Sequence, residues 1–198
     1  MSGAAAGAPL VFAFHGTGGS ETQLVPLLRE ILPDAAIVAP RGDVSERGAL
    51  RFFRRLGEGR YDMDDLAART AAMTAFVEAR VAEAAPSRVL GLGYSNGANI
   101  LASVILARRD LFDAAVLMHP LIPWDPEPGP VRTEVLITAG ERDPICPPEA
   151  TRALADWLAR QGAPVATEWH AGGHEIDGSE VEAATRFLRR AATGKETA

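Results

Sequence analysis

The stretch Val89-Leu90-Gly91-Leu92-Gly93-Tyr94-Ser95-Asn96-Gly97-Ala98 decides how this chain is read. Val89 to Leu92 is a short apolar run, as a buried strand requires, and Ala98 to Ala107 is a neutral, mostly apolar segment that reads as a helix covered by protein. Between them Gly93 to Gly97 spells Gly-x-Ser-x-Gly. A strand that ends at a serine and turns at once into a helix is a physical device. The two glycines let backbone and helix pass close to the turn, and the serine is held in a cramped φ/ψ region with its hydroxyl exposed above the sheet. The pattern alone recurs by chance. The strand before it and the helix after it point to a nucleophile elbow rather than an ordinary turn with an N-capping serine.

Outward from the elbow, strands alternate with helices. Leu10–Phe14, Ala35–Ala39, Arg88–Tyr94, Ala114–Met118, Glu134–Ala139 and Ala166–His170 read as strands. A helix with Leu24, Leu27, Leu28, Ile31 and Leu32 on its apolar side follows the first strand, with Ser20 or Thr22 as its cap. Asp62–Ala84, Ser95–Arg109, Pro148–Gln161 and Gly178–Ala192 are the other predicted helices. Residues 41–61 have no clear period and are expected to form a long irregular loop, a feature that is usually functional or mobile in a compact domain. Residues 120–130 are a proline-rich loop in which Trp124 is placed to cover a pocket. The expected architecture is one α/β domain over residues 1–198: a three-layer α/β/α fold, a mostly parallel sheet of about six to seven strands, and no large cap domain. Residues 1–8 and 193–198 are expected to be flexible tails. In such sheets the ligand sits beyond the carboxyl ends of the strands.

Composition narrows the function. Nearly half of the 198 residues are hydrophobic and charge is moderate, as in a globular chain with a real core. The net charge of −6 argues against nucleic acid and anionic membrane surfaces as partners. All the basic side chains but Lys195 are arginine, which excludes a P-loop, since that motif needs Gly-Lys-Ser/Thr. Cys146 is the single cysteine and fits a reducing compartment. Met1 to Pro9 carries no positive charge, the run Leu10–Phe14 is too short for a signal sequence, and no apolar stretch reaches membrane-spanning length, so a cytoplasmic protein is expected.

The chemistry clusters just after the predicted strands. A serine hydroxyl is a weak nucleophile until a base takes its proton. His174, in Gly172-Gly173-His174-Glu175 after the last strand, suits that role. His170 stands four residues earlier, but across a Gly-Gly loop rather than along a helix, so no zinc pair is expected and no metal or cofactor is called for. His119, before Pro120, reads as structural or pocket-lining. The base needs a carboxylate to fix its tautomer and offset the imidazolium charge. Asp143, in Gly140-Glu141-Arg142-Asp143-Pro144, is favoured by its turn over the competing Glu141 and Asp177. The chain order is then Ser, Asp, His, as in α/β-hydrolases. The backbone amides of Asn96, at a helix N-terminus, and Thr17, in His15-Gly16-Thr17-Gly18-Gly19, are the candidates for an oxyanion hole. Candidate pocket residues are His15, Arg51, Phe52, Tyr94, His119 and Trp124. The cluster Arg51-Phe52-Phe53-Arg54-Arg55 has two readings: a guanidinium and an aromatic face over the pocket, or a solvated basic turn with its phenylalanines in the core.

These residues, together with Arg41-Gly42 and Gly93 to Asn99, resemble the compact phospholipase/carboxylesterase (MhqD-like) branch of the α/β-hydrolase superfamily, along nearly the whole chain. The resemblance implies a nucleophile at Ser95, an acid at Asp143, a base at His174, oxyanion donors at Thr17 and Asn96, and a homodimer, since relatives are often dimers. Acyl-protein thioesterase relatives usually carry leucine or methionine where Thr17 stands and glutamine where Asn96 stands. Dienelactone hydrolases share this fold but use a cysteine nucleophile; here the elbow holds serine and Cys146 lies elsewhere. The expected activity is hydrolysis of small carboxylic esters through an acyl-enzyme on Ser95. A thioesterase, lysophospholipase or acyltransferase would use the same residues, and a non-catalytic small-molecule-binding module would keep the fold without an activated serine. With no long apolar insertion to serve as a lid, a shallow pocket for short acyl groups is expected.

Overall fold

Burial with a period of two along the central strands sets the architecture. In β1 (Leu10–Phe14), Leu10, Phe12 and Phe14 enter one hydrophobic cluster and Val11 and Ala13 enter another. Both faces of the strand are therefore covered, which is why it reads as an unbroken apolar run. The computed structural model describes residues 7–194. Its remaining elements are α1 (Val25–Ile31), β2 (Ala36–Val38), β3 (Val44–Glu46), β4 (Ala49–Arg51), β5 (Arg55–Gly57), β6 (Arg60–Tyr61), α2 (Met63–Ala84), β7 (Val89–Tyr94), α3 (Asn96–Ala107), β8 (Ala114–Met118), β9 (Glu134–Gly140), α4 (Pro148–Arg160), β10 (Val165–His170) and α5 (Gly178–Thr193).

Six strands form one sheet in the order β10-β9-β8-β7-β1-β2, and every pairing in it is parallel. Leu66 and Val77 of α2, Ile100 and Leu101 of α3, and Leu154 and Leu158 of α4 pack into the cluster that holds Phe12 and Phe14. Leu28 and Ile31 of α1 and Phe187 and Leu188 of α5 pack into the cluster on the opposite face. The result is the three-layer α/β/α sandwich expected from sequence, with six strands and no large cap domain among the described residues. The order places β7, which carries the elbow, in the middle of the sheet. Among the described residues, no helix is long and apolar enough to cross a membrane.

Three expectations are corrected. Residues 41–61 are not an irregular loop but two short antiparallel hairpins, β3–β4 and β5–β6. The first turns at Arg47 and Gly48, both at positive φ (53° and 90°), and the second at Gly59 (65°), as tight hairpin turns demand. Strands of two or three residues are too short to show a period, so composition alone could not reveal them. Second, α1 starts at Val25 without a side-chain cap; Ser20 Oγ and Thr22 Oγ1 lie 2.8 Å apart and bond each other instead. Third, α5 includes Thr193 and ends on Gly194 at φ 65°, a glycine cap, so residues 193 and 194 belong to the helix end. Gly7 and Ala8 lead directly into β1. The rest of the expected tails, residues 1–6 and 195–198, lies outside the described residues.

Candidate active site

The elbow glycines are fixed by close approach. A Cβ on Gly97 would come within 2.0 Å of Phe14 O, and one on Gly93 within 2.6 Å of Gly97 O. Between them Ser95 takes φ 52° and ψ −117°, a conformation that costs a non-glycine residue about 1–3 kcal/mol. Its amide is tied to Met118 O at 2.8 Å, so the strain is held by the neighbouring strand β8.

The loops after β7, β9 and β10 meet at the carboxyl edge of the sheet. Ser95 Oγ lies 2.8 Å from His174 Nε2, and His174 Nδ1 lies 2.7 Å from Asp143 Oδ2. An ionised carboxylate only accepts, so Nδ1 carries the ring proton and Nε2 is left to accept from the serine hydroxyl. The other carboxylate oxygen of Asp143, Oδ1, accepts the amides of Ile145 and Cys146 at 2.8 and 2.9 Å. Burial alone would push the Asp143 carboxyl up. The Cys146 amide, His174, His119 and the Ile145 amide together hold it below the usual carboxylate range. Tyr94 anchors the histidine loop, donating its hydroxyl to His174 O at 2.7 Å. Gly140 is required where β9 ends: a Cβ there would meet Gly173 O at 2.0 Å. Glu141 takes no part in this network, and Asp177 caps α5.

A cleft of about 400 Å³ opens at Ser95. Thr17 and Asn96 line it beside the serine. Among the described residues, neither of their amides donates to another protein group. The Asn96 side chain faces the hairpins: its Oδ1 accepts the Phe52 amide at 2.7 Å. The apolar wall consists of Leu121, Ile145 and Cys146, and the β5–β6 hairpin adds Glu58, Gly59 and Tyr61. Asn99 Nδ2 donates to Tyr61 Oη at 2.8 Å, Tyr61 donates to Leu121 O at 3.0 Å, and Leu121 N donates to Asn99 Oδ1 at 2.7 Å. This closed ring ties α3, the hairpin and the loop after β8 into one rim.

Of the candidate pocket residues, the structure brings Arg51 and Tyr94 to the cleft and moves the other four elsewhere. His15 is buried, donating from Nδ1 to Gly16 O at 2.8 Å and accepting the Gly42 amide at Nε2 at 2.9 Å; it fixes the loop rather than the substrate space. Burial lowers its pKa, in keeping with a neutral ring that must accept at Nε2. Phe52 packs against Phe14 and His15 in the core. Trp124 covers a separate groove with Met63, Leu66 and Thr70. His119 has no exposed surface and contacts Asp143 from behind. The arginine cluster divides between its two readings. Phe52 and Phe53 are core, whereas Arg51, only 4% exposed, lines the cleft and donates from Nη1 to Thr17 Oγ1 at 2.8 Å. Arg54 pairs with Asp62, and Arg55 with Glu46 and Glu58.

The sequence reading missed Glu180, which is fully buried and reaches His119. Asp177-x-x-Glu180 was legible as a capping box, and its glutamate does bond the Asp177 amide at 2.8 Å, but nothing local showed that this carboxylate faces inward. Asn99 had a signal: it is a polar residue inside the apolar run of α3. His119, His170 and Glu180, and likewise His119, Asp143 and His174, bring donor atoms within 4.8 Å of one another. In both groups imidazole nitrogens face carboxylate oxygens at hydrogen-bonding distance, the arrangement of proton-linked pairs.

Comparison with known proteins bears on the family and the fold. The sequence model of the dienelactone hydrolase family matches residues 41–177. The putative hydrolase MhqD of Bacillus subtilis (strain 168) is 38% identical over 186 residues, covering 92% of this chain and 93% of that protein. The structure of Atu2452, a protein of unknown function from Agrobacterium tumefaciens str. C58, superposes with a TM-score of 0.90 at 54% identity, covering 93% of this chain and 92% of that one. A Bacillus cereus carboxylesterase superposes equally well, with a TM-score of 0.90 at 35% identity over 96% of this chain and 92% of its own.

Proposed function

The chain belongs to the dienelactone hydrolase family, and from that premise we propose that it hydrolyses short carboxylic esters through an acyl-enzyme on Ser95. The observation that carries this reading is the unbroken path from Ser95 Oγ through His174 to Asp143, with a strained serine at its head. In the first step Ser95 Oγ attacks the ester carbonyl while its proton passes to His174 Nε2. Asp143, its Oδ1 held by two amides, keeps the imidazole in the required tautomer and offsets the imidazolium charge. The amides of Thr17 and Asn96 take the negative charge that develops on the carbonyl oxygen, and the N-terminus of α3 adds its dipole. His174 then gives the proton to the departing alkoxide. Water, deprotonated by His174, attacks the acyl-serine; the bond to Oγ breaks, His174 returns the proton to Ser95, and the acid is released.

The cleft supports a short acyl group. Its apolar wall is small, and Arg51 closes one end with a guanidinium beside Thr17. The substrate is a small molecule, and a cytoplasmic location suits the single, unpaired cysteine. Hydrolysis of p-nitrophenyl acetate and butyrate by purified protein tests the reading. Ser95→Ala is expected to abolish it while circular dichroism stays unchanged. An undiminished rate in that variant excludes Ser95 as nucleophile, and a panel of thioesters beside the esters decides which acyl donor is preferred.

A further inference from the structure

The mechanism leaves one buried histidine without a task. His119 follows β8, with no exposed surface and with φ 51°, in the left-handed region that a non-glycine residue occupies only at a cost. Its Nδ1 lies 2.8 Å from Asp143 Oδ2, the same oxygen that bonds His174. Its Nε2 lies 3.1 and 3.3 Å from the two oxygens of Glu180. The groups that face it are Asp143 from the loop after β9, Glu180 from α5, His170 from β10, Tyr94 from β7, and His174 and Glu175 from the loop after β10. From the loop after β9, Cys146 donates its thiol to His119 O at 3.2 Å.

Two ionised carboxylates can only accept. A ring wedged between them offers a donor to each only when both nitrogens are protonated. Burial works against that charge, but Glu180 and then Asp143 outweigh it and raise the His119 pKa, and the same contacts help hold both carboxyls below their usual range. We infer that His119 is a positioning residue: a buried imidazolium, clamped between Asp143 and Glu180, that fixes the Asp143 carboxylate for His174. The ring centroids of His119 and His174 are 5.0 Å apart, and the two rings share the Asp143 Oδ2 atom, so the placing of one ring is felt by the other. Glu180 balances the cation from the far side and leaves the buried group affordable.

The inference rests on the esterase reading, and its test separates the two. His119→Asn keeps a side-chain amide donor near the place of Nδ1 and removes the cation. With p-nitrophenyl acetate, His119→Asn is expected to lower kcat about tenfold while KM stays within about twofold. An unchanged kcat, or a loss confined to KM, overturns the role of His119. Nitrogen-15 NMR of histidine-labelled wild-type protein at about pH 8 supplies the second readout, independent of whether the variant folds. One ring with both nitrogens protonated is expected, and four neutral rings overturn the inference. A wild type that hydrolyses no ester removes the esterase reading instead, while the NMR spectrum still decides whether His119 is charged.

Discussion

The two sides of the cleft are built by different means. On one side, Ser95, His174, Asp143, His119 and Glu180 hang from the ends of parallel strands or from α5, and the innermost of them are fully buried. On the other, the hairpins β3–β4 and β5–β6 are held by ion pairs with half-exposed partners, such as Arg55 with Glu46 and Glu58. The first side is fixed by backbone contacts that tolerate no added atom. The second is joined to it at a few points: the Phe52 amide on Asn96, Arg51 on Thr17, and the ring of Asn99, Tyr61 and Leu121. In the proposed mechanism the difference means that the sheet edge sets the reaction while the hairpins set what fits. Chemistry needs geometry held to fractions of an ångström, whereas selection tolerates variation.

That contrast can be broken by substitution. The largest effect belongs to the sheet edge: Asp143→Asn is expected to lower kcat about 10⁴-fold, because the wrong His174 tautomer is favoured, with little change in KM for p-nitrophenyl butyrate. Gly97→Ala forces a Cβ against Phe14 O and should lower stability by about 3 kcal/mol or more, read as a fall in the urea midpoint. If Gly97→Ala folded normally, the rigid half of the comparison would be lost. On the hairpin side, Arg51→Met removes a guanidinium from the cleft and a hydrogen bond from Thr17. Its kcat/KM should fall about tenfold, roughly 1.4 kcal/mol, while the serine still reacts with a fluorophosphonate. Arg54→Gln, which disturbs an ion pair with Asp62 away from the cleft, should stay within about twofold of wild type.

The buried charges also give stability a shape in pH. Asp143 and Glu180 have depressed pKa values when folded, so the stability they contribute is present above the ordinary carboxylate range of about 4 and is lost as pH falls through the lower folded values. His119 has a raised value, so its contribution is complete below about 6.5 and is lost as pH rises through the folded value. The thermal midpoint is expected to decline on both sides, and in His119→Asn the alkaline decline should lessen. An unchanged alkaline decline would place it with other groups.

Much of this was legible in the sequence because the strands are long and buried on both faces. Leu10–Phe14 and Val89–Leu92 announce themselves by apolarity, and the glycines at residues 93, 97 and 140 by the turns they permit. Ser95 and Asp143 each follow such a strand and His174 follows the part-exposed edge strand β10, so order along the chain was enough to bring them to one edge. The hairpins of residues 41–61 were hidden because strands of three residues carry no period, and their signal was only the glycines at the turns. The places of His15, Phe52 and Trp124 were misjudged for a related reason. A side chain near the site in sequence may turn inward, and which way it turns depends on long-range contacts such as Gly42 on His15. Glu180 was hidden most deeply, since a capping residue is ordinarily solvated.

The account stands or falls on whether Ser95 is an activated nucleophile. Intact-mass spectrometry after exposure to a fluorophosphonate, followed by peptide mapping, measures that directly. A single adduct on Ser95, lost in His174→Ala, is the predicted result; no adduct on the folded wild type, or an adduct on another residue, would contradict it.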